Sequence, residues 1–167
     1  MESVTELLDY LKEGIEASDY LKRFALALKA DEPGTTGAFA AILGNEHWKS
    51  KQIPLSLHPF VIISTGDEKE RREMFAGTKI RREFRFIGGV LDNSVERCSK
   101  RIVSLGEILA HELRHLLGAV EKTPDEAGAS SGMIDGFDIL PLQGDGDRNR
   151  PAAYVAVPVT IAYFLEG

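Results

Sequence analysis

Apolar residues at helical spacing open the chain. Val4, Leu7, Leu8, Leu11 and Ile15 recur at intervals of three and four, behind a Ser3/Glu6 pair in capping-box spacing. A second helix is expected from Ser18 to about Lys29, with Tyr20, Leu21, Phe24 and Leu28 apolar, stopped by Asp31-Glu32-Pro33-Gly34. Residues 30–57 hold no sustained period. They carry an apolar patch at 39–43, then His47, Trp48 and Pro54, and read as a long loop or partly extended arm.

The period then changes from helix to strand. Residues 58–65 (HPFVIIST) form a β-branched run, expected as a buried strand. Residues 66–78 (GDEKERREMFAGT) are expected as a long charged hairpin loop. Residues 79–90 alternate, with Ile80, Phe84 and Phe86 on one face and Arg81, Glu83 and Arg85 on the other. Gly88 and Gly89 predict a bulge or a close approach. Asp92-Asn93-Ser94 caps a long helix, with Glu96 placed to complete a box with Asn93; the helix is expected to end near Leu117, with Gly118 as its C-terminal cap. Residues 136–142 predict a third strand, Gly144-Asp145-Gly146-Asp147 a turn, and 154–164 a last strand. That strand puts Val155, Val157, Val159, Ile161 and Tyr163 on one face, and Pro158 marks it as an edge strand or a locally irregular one. The expected fold is α+β: a single domain over 1–167 with N-terminal helices and a four-stranded, mainly antiparallel sheet of two hairpins. A long helix covers one face of that sheet.

Composition adds limits. With 167 residues, 43% hydrophobic and 28% charged, one domain with a real core is expected. A net charge of −6 gives no reason to expect sequence-specific nucleic-acid binding. Cys98 is the single cysteine, so no intrachain disulfide can form, and an intracellular, reducing origin is expected. No apolar run approaches the roughly 20 residues of a membrane helix, so no membrane association is expected. The acidic, amphipathic N-terminus does not read as a secretory signal. Near a helix N-terminus, Cys98 is a candidate for a lowered pKa, but the sequence offers no catalytic partner for it.

Candidate chemistry sits on the long helix. His111-Glu112-Leu113-Arg114-His115 reads H-E-x-x-H, in which two histidines one helical turn apart could share a zinc ion and Glu112 could move the proton of a bound water. The continuation through Gly118 to Glu121 resembles the metzincin peptidase motif with Glu in place of the third histidine. Met133 loosely resembles that family's Met-turn. Against this, the core stripe Ile102, Leu105, Leu109, Leu113 and Leu116 puts both histidines on the opposite, polar side of the helix, at about 100° per residue. The chain also continues into strands, where the metzincin motif implies a supporting helix.

A second resemblance spans most of the chain. Residues 58–63 with the charged turn at 66–68, the strand Lys79-Ile80-Arg81-Arg82-Glu83-Phe84-Arg85-Phe86, the helix at 94–117, and the closing pair at 137–142 and 154–163 resemble bacteriophage tail terminator (tail completion, neck) proteins. That resemblance implies a structural virion protein, with neither active site nor cofactor. It would form a homo-oligomeric ring, expected as a hexamer, at the head-proximal end of the tail, assembled in the host cytoplasm. Its partners would be further copies of itself, the tail tube protein and the head connector or a neck protein. Candidate interface residues are Lys69, Arg71, Arg72, Met74 and Phe75 in the charged loop, and Pro158 on the last strand. The basic residues there alternate with Glu68, Glu70, Glu73 and Glu83, which suits a solvated or intersubunit salt-bridge face better than DNA. The assembly role is preferred, and the zinc peptidase using His111, Glu112, His115 and Glu121 stands as the alternative.

Overall fold

A computed structural model of the chain describes residues 4–44, 58–75, 77–121, 132–133, 138–144 and 151–166. The elements run α1 (Val4–Ala17), α2 (Asp19–Asp31), β1 (Ala40–Gly44), β2 (Phe60–Met74), β3 (Gly77–Leu91), α3 (Val95–Glu121), β4 (Gly132–Met133), β5 (Asp138–Gly144) and β6 (Pro151–Glu166). The fold is α+β. The expected hairpins are β2–β3 and β5–β6, joined into one sheet because β3 and β6 pair antiparallel along their whole length, from Gly77↔Glu166 to Leu91↔Ala152.

Short strands widen this sheet to six, in the order β1-β2-β3-β6-β4 with β5 also on β6. β1 runs parallel to β2, with Ala41↔Val61 and Leu43↔Ile63 in register. It falls inside the expected arm at 30–57. Ala-Ala-Ile-Leu-Gly has neither alternation nor β-branching beyond one Ile, so only its neighbour β2 makes it a strand. His47, Trp48, Pro54 and the turn at 145–147 lie outside the described residues.

The charged segment 66–78 is a correction. It is strand, not a long loop: β2 continues to Met74 and turns at Phe75 into Gly77. Register shifts between Thr65 and Glu68 and between Glu68 and Glu70 absorb the extra residues. Alternating acids and bases look loop-like in sequence, yet a ribbon whose two strands carry opposite charges can pair them across the ladder. Of the two readings of the last strand, edge or local irregularity, the first is overturned. β6 is not an edge, having β3 on one side and β4 and β5 on the other. On its inner side Pro158 stands opposite Arg85 of β3.

Both faces of the sheet bury apolar residues. Val61, Ile63, Phe84, Phe86, Val155, Val157, Val159 and Ile161 join the three helices in the main core. Ile42, Phe60, Ile62, Ile87, Leu91 and Tyr154 form a second cluster on the other face. Gly88 and Gly89 serve one face each. A Cβ on Gly88 would lie 2.7 Å from Leu105 Cδ2 of α3, and a Cβ on Gly89 would collide with the ring of Phe60, its cross-strand partner. The glycine pair therefore marks two close approaches back to back.

Caps and ions place α3. Ser94 Oγ accepts from the Arg97 N–H at 3.3 Å, which makes Ser94 the cap. Asp92, fully buried, accepts from the Ser94 N–H at 3.1 Å, from Arg97 Nε at 3.1 Å and from Arg101 Nη1 at 2.7 Å. Arg101 also reaches Asp31 at the end of α2, and buried Glu32 accepts from the Asn93 N–H at 2.6 Å. The start of α3 is thus tied to the end of α2. Farther along, Tyr10 Oη of α1 donates to Leu116 O at 2.9 Å, and Gly14 leaves room for the Leu116 side chain. Gly118 does not end the helix, which runs unbroken to Glu121. The buried stripe is Ile102, Leu105, Leu109, Leu113 and Leu117, with Leu116 only partly buried toward α1.

Candidate functional site

Two surfaces carry the residues singled out by sequence. The first is the groove beside H-E-x-x-H. His111 and His115 are exposed on α3 and Glu112 is half-buried. All three line an open groove of about 400 Å³ against the α1–α2 corner, where Gly14, Ser18, Asp19 and Tyr20 form the other wall. A contiguous recess of about 300 Å³ shares Tyr20 and His111 and adds Glu107 and Ile108. The rings of Tyr20 and His111 meet edge to face at 5.8 Å, and the Arg23 guanidinium lies 5.6 Å from the Tyr20 ring centre.

Tyr20 was expected in the apolar stripe of α2. It is instead 53% exposed, because Leu21, Ala25 and Leu28 make the buried stripe and Tyr20 falls one position off it. Sequence spacing alone could not bring the α1–α2 corner beside α3. The nearest signal was Ser18, whose side chain caps α2 by accepting from the Leu21 N–H at 3.3 Å and so fixes the corner.

The groove does not gather a third metal ligand of the expected kind. A metzincin-like site needs the chain to turn after the glycine and bring residue 121 back to the histidines, whereas here Gly118 and Glu121 continue the same helix. Met133 lies in β4, paired with Thr160, and not in a Met-turn. Among the described residues, no three His, Cys, Asp or Glu side chains are clustered for a metal.

The second surface is the β2–β3 ribbon. Leu105 of α3 sits over Gly88, and from there even a helix aligned with the strand advances only about 24 Å to Glu121, at about 1.5 Å per residue. The strand advances about 36 Å from Gly88 to Gly77, at about 3.3 Å per residue. The ribbon therefore extends beyond the reach of α3 and ends on Phe75, which is wholly exposed.

Most ribbon charges are paired. Lys69 meets Glu83 at 3.3 Å, Arg71 meets Glu68 at 2.7 Å, Arg81 meets Glu70 at 3.3 Å, and Arg82 meets Glu68 at 3.9 Å. The Arg71 hydrogen bond, and then the nearby Arg71 and Arg82 charges, hold the Glu68 carboxyl below its usual pKa. Such exposed pairs are screened by solvent, so they fix the register more than the stability. Arg72 and Lys79 are different. They stand directly opposite each other across the ladder, both exposed, with no ion pair among the described side chains. Like charges in that position repel.

The expected interface residues thus separate. Lys69, Arg71, Arg72 and Phe75 share the ribbon, and Met74 joins them by backbone position. Pro158 does not: it pairs with Arg85, eight residues from Gly77, about 26 Å down the strand.

Cys98 is corrected too. It is buried, with Sγ 3.6 Å from Pro151 O. Burial, reinforced by the Asp92 charge and only partly offset by Arg101, pushes its thiol up to about 11. Its position near a helix N-terminus is outweighed by desolvation. No helix among the described residues is long and apolar enough to cross a membrane. No protein-family model and no curated protein matches this chain.

Proposed function

We propose that this chain is a structural assembly protein of a phage tail, a terminator-like subunit that forms a homo-oligomeric ring. The ring would cap the tail tube at its head-proximal end and join it to the head connector. The observation that carries this proposal is the long β2–β3 ribbon, which extends past α3, keeps its register by ion pairs along its length, and ends on exposed Phe75, with Arg72 and Lys79 opposed across the ladder near its tip. An aromatic side chain held out at the end of a stiff arm, built from β2, β3 and the end of β6, is costly to leave in water and suits a protein partner. The order of elements, with two hairpins in one sheet and a long helix across one face, agrees with the terminator resemblance.

Native mass spectrometry of the protein, alone and with tail tube protein, tests the proposal. A closed ring near six chain masses, or a ring that appears only on tube protein, supports it. Failure to associate with itself and with tube protein at high concentration rejects it.

One observation favours the alternative zinc peptidase: both histidines and Glu112 line the same open groove. Stoichiometric zinc bound by wild type and lost in His111→Ala, with peptide hydrolysis abolished in Glu112→Ala, would establish that alternative.

A further inference from the structure

Two surfaces of this molecule carry charges of opposite sign. Near the ribbon tip, Arg72 and Lys79 face each other with no ion pair among the described side chains, and the pairs Glu73↔Thr78 and Met74↔Gly77 separate them from the turn that carries Phe75. Along the groove between the α1–α2 corner and α3, the charged lining residues are Asp19, Glu107 and Glu112, apart from the histidines. Among the described residues no lysine or arginine lines the groove, the Arg23 guanidinium standing at its edge 5.6 Å from the Tyr20 ring centre, and none of these carboxylates is in an ion pair. Its floor is apolar and aromatic, with Tyr20 and Ile108, and its two contiguous recesses of about 400 and 300 Å³ have room for a phenyl ring.

We infer that the Phe75 tip of one copy docks in the α1–α3 groove of the next copy. Arg72 and Lys79 meet Asp19 and Glu107, and the Phe75 ring packs against Tyr20. The tip and the groove are different patches of one chain, so the contact is heterologous. Repeated head to tail, it closes a ring when the rotation per subunit allows. The occupant is a second copy because the positive, aromatic tip and the negative, aromatic groove each supply what the other lacks. Docking also places carboxylates beside the cross-strand cation pair, whose repulsion costs stability in the lone subunit. This inference rests on the ring-forming role proposed above and assigns its interface.

Charge reversal tests it in the full chain. One variant carries Arg72→Glu and Lys79→Glu, the other Asp19→Lys and Glu107→Lys. Sedimentation velocity follows self-association, and circular dichroism confirms that each variant folds. Each variant alone should associate at least about tenfold more weakly than wild type, the range expected when close charge pairs become like pairs. An equimolar mixture should recover association, since each reversed patch then finds a reversed partner and each native patch a native one. Wild-type association should also weaken as salt rises. If both variants assemble like wild type, the ring is built through another interface: the inference fails and the assembly role survives. If the tip variant fails but the mixture does not rescue it, the tip serves a different partner, such as an acidic tube protein, and the inference is overturned. A wild type that stays monomeric at every concentration overturns it as well, and the tube-protein experiment then decides the assembly role separately.

Discussion

Gly89→Ala offers a sharp check on how the sheet is packed. A Cβ at this position would lie 2.5 Å from Phe60 Cε1, closer still to Cζ, and 3.0 Å from Cε2. The obstacle is a rigid ring that is itself fully buried, so it cannot swing aside without disturbing Ile62, Ile87 and Tyr154 in the same cluster. Overpacking of this kind costs about 1–3 kcal/mol. The lower chain entropy of alanine in the unfolded state offsets about 0.4–1 kcal/mol of that, leaving a net loss of about 1–2 kcal/mol. In a chain of this size that lowers Tm by about 2–8 °C. Gly88→Ala is the internal control. Its nearest neighbour is Leu105 Cδ2 at 2.7 Å, the far end of a flexible side chain, and its cost should stay below about 1 kcal/mol. Thermal and urea melts of both variants make the comparison. Phe60→Leu/Gly89→Ala should then show coupling of at least about 0.5 kcal/mol, the double variant being less damaged than the sum of the singles. If Gly89→Ala is neutral, or no worse than Gly88→Ala, or strictly additive with Phe60→Leu, then Phe60 does not stand over Gly89 and the β2–β3 register is wrong.

Other expectations follow from single groups. Asp92→Ala strips the acceptor from Ser94, Arg97 and Arg101 and should cost about 2–4 kcal/mol in a denaturant melt, below the full buried-pair penalty because Arg97 stays half in water. Asp31 has its pKa lowered chiefly by the Arg101 hydrogen bond. A depressed folded-state pKa means its contribution is complete above the unfolded value of about 3.9 and is lost as pH falls through the folded one, so the Tm gap between wild type and Asp31→Asn should narrow from pH 7 to pH 3. With its thiol pushed up to about 11, Cys98 should resist alkylation at pH 8 in the native state and react at once in denaturant; fast native labelling would contradict its burial. Lys79→Glu alone should stabilise the monomer by about 0.2–1 kcal/mol, because it turns a cross-strand repulsion with Arg72 into an attraction, and an unchanged or lowered Tm would count against that register.

Elements with a strong internal period were legible from the chain alone. The stripe of Leu7, Leu11 and Ile15, the alternation through Phe84 and Phe86, and Val155 to Ile161 each encode a buried face through local geometry alone, and each holds in the structure. A cap within residues 92–94 and the close approach at Gly88 and Gly89 were legible for the same reason, since capping and steric room are properties of a few neighbouring residues, but the box expected between Asn93 and Glu96 gives way to Ser94 as the cap, with Glu96 paired to Lys100. What failed was whatever depended on a distant neighbour. β1 is a strand because β2 lies beside it, and 66–74 is a strand because β3 supplies opposite charges across the ladder. Gly118 continues a helix that its own propensity would end, and Cys98 is set by burial and not by its place in the helix. The site shows the same division. H-E-x-x-H was visible as letters, but whether residue 121 returns to those histidines, and that Tyr20 and Asp19 face them across a groove, were decided only when α1, α2 and α3 packed. Likewise the positions of Arg72 and Lys79 could be read from the chain, but their opposition required the register that tertiary pairing sets.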